Sequence, residues 1–197
     1  MDWYEIVGFI TGVLCVALQI KRNIWNWPLA IVNGIFYIIV FYGAKLYADV
    51  GLQVFFITIS VYGWVEWLHG KPGGEIEVRR LTAVEIGLSM VLIGGGTYVL
   101  GSLLHYTTDA AMPYADSLAA TMSLTAQLLM ARKKLENWIL WIAVNILYIG
   151  VYFYRGLFLT QFLYGIYLVL ATMGYLEWKK SYRMMISTAA PVRGAAE

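Results

Sequence analysis

The chain has 197 residues, of which 60% belong to the set AVILMFWYC and 13% are charged, with a mean hydropathy of +0.67. Soluble domains carry about 25% charged residues, so this sequence cannot clothe a water-soluble globule, which excludes a cytosolic enzyme, a disordered segment and a nucleic-acid reader. The net charge is only +2, and one cysteine, Cys15, with two histidines, His69 and His105, excludes a disulfide framework, a thiolate redox pair and a zinc cluster.

A helix crosses the hydrocarbon layer with about 20 mostly apolar residues. Seven stretches qualify in chain order: Ile6–Ile20, Trp27–Ala44, Val50–Leu68, Ala83–Leu104, Ser117–Ala131, Asn137–Tyr154 and Leu157–Trp178. The first and fifth look short, so their ends should extend into neighbouring residues. The longest connection, His69–Thr82, carries Lys71-Pro72-Gly73-Gly74 and a charge cluster, and reads as a solvated turn. The expected organisation is a first three-helix repeat (1–68), a loop, a linker helix and a second loop (69–114), a second three-helix repeat (115–182) and a flexible tail (183–197). Asp2 and Glu5 precede the first span where a signal peptide would be basic, so we expect it to be retained.

Lysines and arginines sort by side. Alternate loops put twelve of them on one face of the membrane, from Lys21 and Arg22 to Arg193, and only Lys45 and Arg155 on the other. By the positive-inside rule this predicts an outer N-terminus and a cytoplasmic C-terminus.

The chain also resembles itself. A shift of 111 residues lays Asn26-Trp27 on Asn137-Trp138, Tyr37 on Tyr148, and Gly63, Glu66 and Trp67 on Gly174, Glu177 and Trp178, while Lys21-Arg22 falls on Arg132-Lys133. A shift of four crossings restores direction, so the expectation is two parallel three-helix repeats joined by helix 4, with substrate between them near the midplane. The Gly94-Gly95-Gly96 run of helix 4 reads as close packing on a neighbour.

The chemistry of the interior follows. No ionisable residue lies near the middle of a span, which argues against proton relays, charged channel rings and intramembrane hydrolysis. The spans instead hold rings and amides. On helix 6, Trp138, Trp141, Asn145, Tyr148 and Tyr152 recur at spacings of 3, 4, 3 and 4 and form one stripe. Helix 2 adds Asn33 and Tyr37, helix 3 adds Gln53, helix 5 adds Thr121, Thr125 and Gln127, and helix 7 adds Gln161 and Tyr164. An unsatisfied amide in hydrocarbon costs on the order of 4–8 kcal/mol, so these groups should face inward, either as glue between helices or around a flat heteroaromatic ligand. Trp25, Trp67 and Trp178 read as an interfacial belt at the cytoplasmic ends.

The pieces WNWPLAIVN (Trp25–Asn33), LYADVGLQ (Leu46–Gln53), YGWVEW (Tyr62–Trp67), PYADSL with Gln127, and the long run Ala131–Tyr167 resemble the Pnu family of bacterial vitamin transporters over all but helix 4 and the tail. The resemblance implies a SWEET-like all-α fold of three plus one plus three membrane helices. It also implies a homotrimer in the lipid bilayer, facilitated diffusion of a B-vitamin without a cofactor, and trapping by a cytoplasmic vitamin kinase. Members take nicotinamide riboside, thiamine or riboflavin. Nicotinamide riboside is the leading expectation here, although some members carry Asp where this chain has Asn145. Outside the family, a seven-helix sensor would need a cytoplasmic output surface that these short loops do not offer, and an enzyme would need a catalytic constellation that the sequence lacks.

Overall fold

The computed structural model describes residues 3–43, 47–69, 77–109, 111–156 and 158–189. Lys45, Lys71-Pro72-Gly73-Gly74, Leu157 and the tail beyond residue 189 lie outside them. Seven helices follow one another: α1 Trp3–Ile20, α2 Asn26–Gly43, α3 Tyr47–Leu68, α4 Ala83–Thr107, α5 Pro113–Ala131, α6 Asn137–Tyr154 and α7 Phe158–Ala189. The short first and fifth spans do extend, to Trp3 and Pro113. Helix α7 runs on through residues 183–189, where the sequence reading begins a flexible tail.

Among the described residues, α2, α3, α4 and α6 are long and apolar enough to cross a membrane by length and composition, and α1 holds a shorter apolar stretch, Ile10–Ile20. The polarity of α5 has a physical explanation. Its Ser117, Thr121, Ser123, Thr125 and Gln127 are all buried inside the bundle. The hydroxyls of Thr121, Ser123 and Thr125 donate to carbonyls one turn back at 2.7–2.8 Å, which removes their need for water. Large apolar side chains instead cover the outside, above all on α4, where Val84, Met90, Val91 and Tyr106 are exposed. That surface suits lipid.

Consecutive helices pack as α1–α2–α3 and α5–α6–α7, the two triplets meet at α3–α5 and at α1–α7, and α4 packs on α5 alone. Exchanging the triplets maps the first junction onto the second. The ends of α1 and α5 match bond by bond. Helix α1 ends with Arg22 N–H on Gln19 O and Asn23 N–H on Leu18 O; α5 ends with Lys133 N–H on Met130 O and Lys134 N–H on Leu129 O. These are paired Schellman caps, and each places a basic residue, Arg22 (φ 54°) or Lys133 (φ 60°), in the left-handed region that glycine usually fills.

Both triplets finish in the same joint at the end where these basic residues cluster. Trp27 lies against Gly63 and Trp138 against Gly174; a Cβ on either glycine would stand 2.5 Å from the indole. Trp67 Nε1 donates to Ala131 O at 3.0 Å and Trp178 Nε1 to Gln19 O at 3.1 Å, so each third helix is tied to the first helix of the other triplet. Lys133 reaches Glu66 O and Arg22 reaches Ser181 in the same crossed sense. Trp27, Trp67, Trp138 and Trp178 touch in a chain of ring contacts and are 0–4% exposed. The belt expectation is thus corrected for Trp67 and Trp178: they plug the basic end of the bundle, and of the three expected belt residues Trp25 alone, 65% exposed, has a belt-like position.

One feature breaks the symmetry. The strand of chain before α4 crosses the α5–α6 turn, with Arg79 N–H on Lys133 O and Leu135 N–H on Arg79 O, and buries Val78 in the plug. Ion pairs Arg80–Glu136 and Lys134–Glu85 fasten it, and Thr82 with Glu85 closes a capping box on α4.

Candidate binding cavity between the repeats

A cavity of about 440 Å³ opens between the two triplets, floored by Trp138 and the plug. Its volume lies within the roughly 300–1,000 Å³ usual for small-molecule sites. Eight pairs of lining residues are related by the 111-residue shift: Gly12 and Ser123, Val16 and Gln127, Ala30 and Trp141, Asn33 and Val144, Phe41 and Tyr152, Gln53 and Tyr164, Phe56 and Tyr167, Ser60 and Ala171. The wall is therefore built twice on one backbone pattern, with different chemistry on the two halves.

Of the predicted site residues, Asn33, Gln53, Gln127, Trp138, Trp141, Asn145, Tyr148 and Tyr164 line this cavity, and the whole α6 stripe from Trp138 to Tyr152 faces it. The rings of Tyr148, Tyr152 and Tyr164 stack at centroid distances of 4.7–5.7 Å, and Tyr167 meets Tyr164 edge-on at 6.0 Å. Asn33 Nδ2 donates to Thr11 Oγ1 at 2.5 Å and Gln127 Nε2 to Ser60 Oγ at 3.4 Å, so these two amides also tie helices together. Asn145 differs. It is 5% exposed, yet among the described residues its amide has no hydrogen-bond partner. Its amide atoms are not sealed in the packing but open to the cavity, where a ligand can meet them. The indole N–H groups of Trp138 and Trp141 are also buried without acceptors; because Trp27 shares this state with its repeat mate Trp138, that orphaning belongs partly to the plug.

Four predicted residues stand elsewhere, the first being Thr125, buried with its hydroxyl on Thr121 O. Thr121 meets Thr97 at 2.9 Å, and its methyl sits where Gly96 lacks a side chain. It joins α4 to α5, because the cavity face of α5 is Ala120, Ser123 and Gln127. Gln161 shares a shallow outer groove with Phe158, Phe162 and Gly165, whereas the cavity face of α7 is Tyr164, Tyr167 and Ala171. Tyr37 is stacked on Phe41 at 5.5 Å and does not itself line the cavity. Sequence reasoning missed Gly12, Cys15 and Gln19 of α1, a helix that reads as uniformly apolar, and Tyr167, whose three-residue spacing from Tyr164 was a usable signal. Gly12 lets the Tyr167 hydroxyl lie close to α1: a Cβ would stand 2.7 Å from it and displace the tip of the ring.

No lysine, arginine or histidine lines the cavity among the described residues, and its one charged side chain is Asp49. The arrangement can stack a flat ring, offer amides to its edges and favour a cation. It holds no group of His, Cys, Asp and Glu that could bind a metal among the described residues.

The chain is similar to known membrane transporters. The chain is 29% identical to the nicotinamide riboside transporter PnuC of Escherichia coli (strain K12), over 93% of this chain and 87% of that protein. It is 28% identical to the riboflavin/roseoflavin transporter RibM of Streptomyces davaonensis, over 89% of this chain and 84% of that protein. The crystal structure of the vitamin B3 transporter PnuC superposes with a TM-score of 0.75 at 28% identity, covering 92% of this chain and 83% of that one. The family model described as nicotinamide mononucleotide transporter matches residues 2–180, and the chain belongs to that family.

Proposed function

We propose that the protein is a uniporter for an unphosphorylated B-vitamin, nicotinamide riboside foremost, taken up down its electrochemical gradient across the bacterial inner membrane. The observation that carries this reading is the lining itself: an unpartnered Asn145 amide among stacked tyrosines, with no basic residue to meet a phosphate. Phosphates are bound through arginine, lysine or clustered backbone N–H groups. The mononucleotide in the family's description would bring its charge into a cavity whose only charged side chain, among the described residues, is a carboxylate. The riboside carries a cationic pyridinium and no phosphate. Riboflavin is the second reading, favoured by the likeness to RibM; thiamine, another cationic heteroaromatic, is the third.

In this reading the two triplets are parallel repeats that rock about an axis along the membrane normal. The tryptophan plug is the cytoplasmic gate, the basic end faces the cytoplasm and the N-terminus lies outside. A homotrimer and a cytoplasmic vitamin kinase complete the system. The kinase makes uptake one-way, because a phosphorylated product no longer suits the cavity. The test is flux into proteoliposomes with the membrane potential clamped. Nicotinamide riboside should equilibrate and stop, whatever proton or sodium gradient is imposed, and kinase sealed inside should pull total uptake past equilibrium. Accumulation of unmodified substrate without that trap would refute uniport.

A further inference from the structure

Asp49 sits in the first turn of α3, at the end of the bundle opposite the plug, and lines the cavity beside Phe41, Tyr148 and Tyr152. It is half-buried and has no ion-pair partner among the described residues. Arg155, the one described cation at this end, is committed to Asp116 at 2.8 Å. Asp116 is near enough to act on Asp49 by its charge, but its own charge is met by Arg155. Among the described residues, one negative charge therefore remains without an opposite charge beside it at the mouth. A carboxylate in the first turn of a helix can serve the helix alone, through its dipole. The duplication argues otherwise: the residue equivalent to Asp49 is Thr160, and α7 has no acidic residue in its first turn. The fold is built at that position without a carboxylate. Deeper in the same cavity the Asn145 amide stands 5% exposed without a partner, an independent sign of a ligand.

We propose that Asp49 is the charge-selecting residue of this transporter. It draws cationic heteroaromatic substrates to the mouth and discriminates against neutral or anionic molecules of the same outline. The inference rests on the vitamin-uniporter reading and adds to it the residue that sets charge preference. Rim charges act through long-range attraction that salt screens, so affinity and its salt dependence are the quantities to read.

The probes are nicotinamide riboside, a pyridinium cation, and its 1,4-dihydro form, which has the same groups and no charge. Binding to the full-length protein in nanodiscs would be measured by calorimetry for wild type, Asp49→Asn, Asp49→Glu and Asp49→Thr, the last copying Thr160. Asp49→Asn and Asp49→Thr should weaken the cation about tenfold, leave the dihydro form within twofold and flatten the salt dependence; Asp49→Glu should retain the preference. Equal affinity of wild type and Asp49→Asn for the cation would overturn the assignment, as would equal losses for both ligands. Should the variants not fold, salt titration of the wild type decides: the cation alone should weaken as ionic strength rises, and parallel behaviour of both ligands refutes the role. A wild type that binds neither ligand would instead overturn the vitamin reading, and this inference with it.

Discussion

A methyl group added at Gly63 tests the plug most directly. The new Cβ would stand 2.5 Å from Trp27 Cη2, and Gly174 repeats the clash at 2.5 Å with Trp138 Cη2. Carbon atoms in contact settle at about 3.5–4.0 Å, so an indole must retreat by about 1 Å. Trp27 cannot do so freely. It is 0% exposed, and Trp67 lies edge-on to it at 5.2 Å. Overpacking of this kind costs about 1–3 kcal/mol. Gly87, where a Cβ meets nothing within 4 Å, is the control; there alanine should gain up to about 1 kcal/mol of helix stability. In detergent or nanodiscs, Gly63→Ala and Gly174→Ala should each lower the melting temperature by about 4 °C, taking about 2–4 °C per kcal/mol for a chain of this length, while Gly87→Ala leaves it unchanged or higher. Trp27→Phe removes the ring atoms that collide, so its combination with Gly63→Ala should lose less than the two singles together by about 1 kcal/mol. Additive losses, or glycine variants as stable as the control, would refute the packing argument.

Asn145→Ala should weaken vitamin binding about tenfold or more at an unchanged melting temperature, since the amide has no protein bond to lose. Trp178→Ala should do the reverse and destabilise by about 3–5 kcal/mol, because the ring is wholly buried in the plug; thermal shift with and without ligand separates the two. Thr121→Val should cost about 1 kcal/mol through its lost contact with Thr97 and leave affinity within twofold in the same calorimetry. In a Cys15→Ser background, Thr107→Cys should be labelled by impermeant maleimide only from outside and Glu77→Cys only from the cytoplasm; the reverse pattern would overturn the charge-based orientation.

The α6 stripe was legible because a helix converts spacing into a face without help from its neighbours, and polar rings and an amide stand out against an apolar background. Helix α5 offered no such contrast. It is polar on the face toward α4, where Thr121 lies, and on the face toward the cavity, where Ser123 and Gln127 lie. Periodicity cannot choose between two polar faces. Trp67 and Trp178 failed for a different reason: an interfacial belt and a plug occupy the same depth along a helix. What separates them is a partner, here the carbonyls of Ala131 and Gln19 on the opposite triplet, and no single-helix pattern reports that.

The duplication supplies a comparison within one molecule. Where a position serves the frame, both copies kept the same residue: Asn26 and Asn137, Trp27 and Trp138, Gly63 and Gly174, Trp67 and Trp178. Each of these lies in the paired caps or the plug, where both triplets need the same joint. Where the paired positions face the cavity, most have diverged from polar or large to small or apolar: Gln127 against Val16, Trp141 against Ala30, Asn33 against Val144, Ser60 against Ala171. Asn145 stands against Gly34, which packs on Ile57 and has no room for a side chain. A symmetric frame suits alternating access, because the same joint can part and close as the triplets rock. A symmetric wall would not suit a substrate with a charged ring at one end and a sugar at the other. On the proposed reading, divergence in the wall lets the two halves divide that recognition, with rings and the Asn145 amide on α6 and the Asp49 carboxylate on α3, while the joint they turn on stays the same for both.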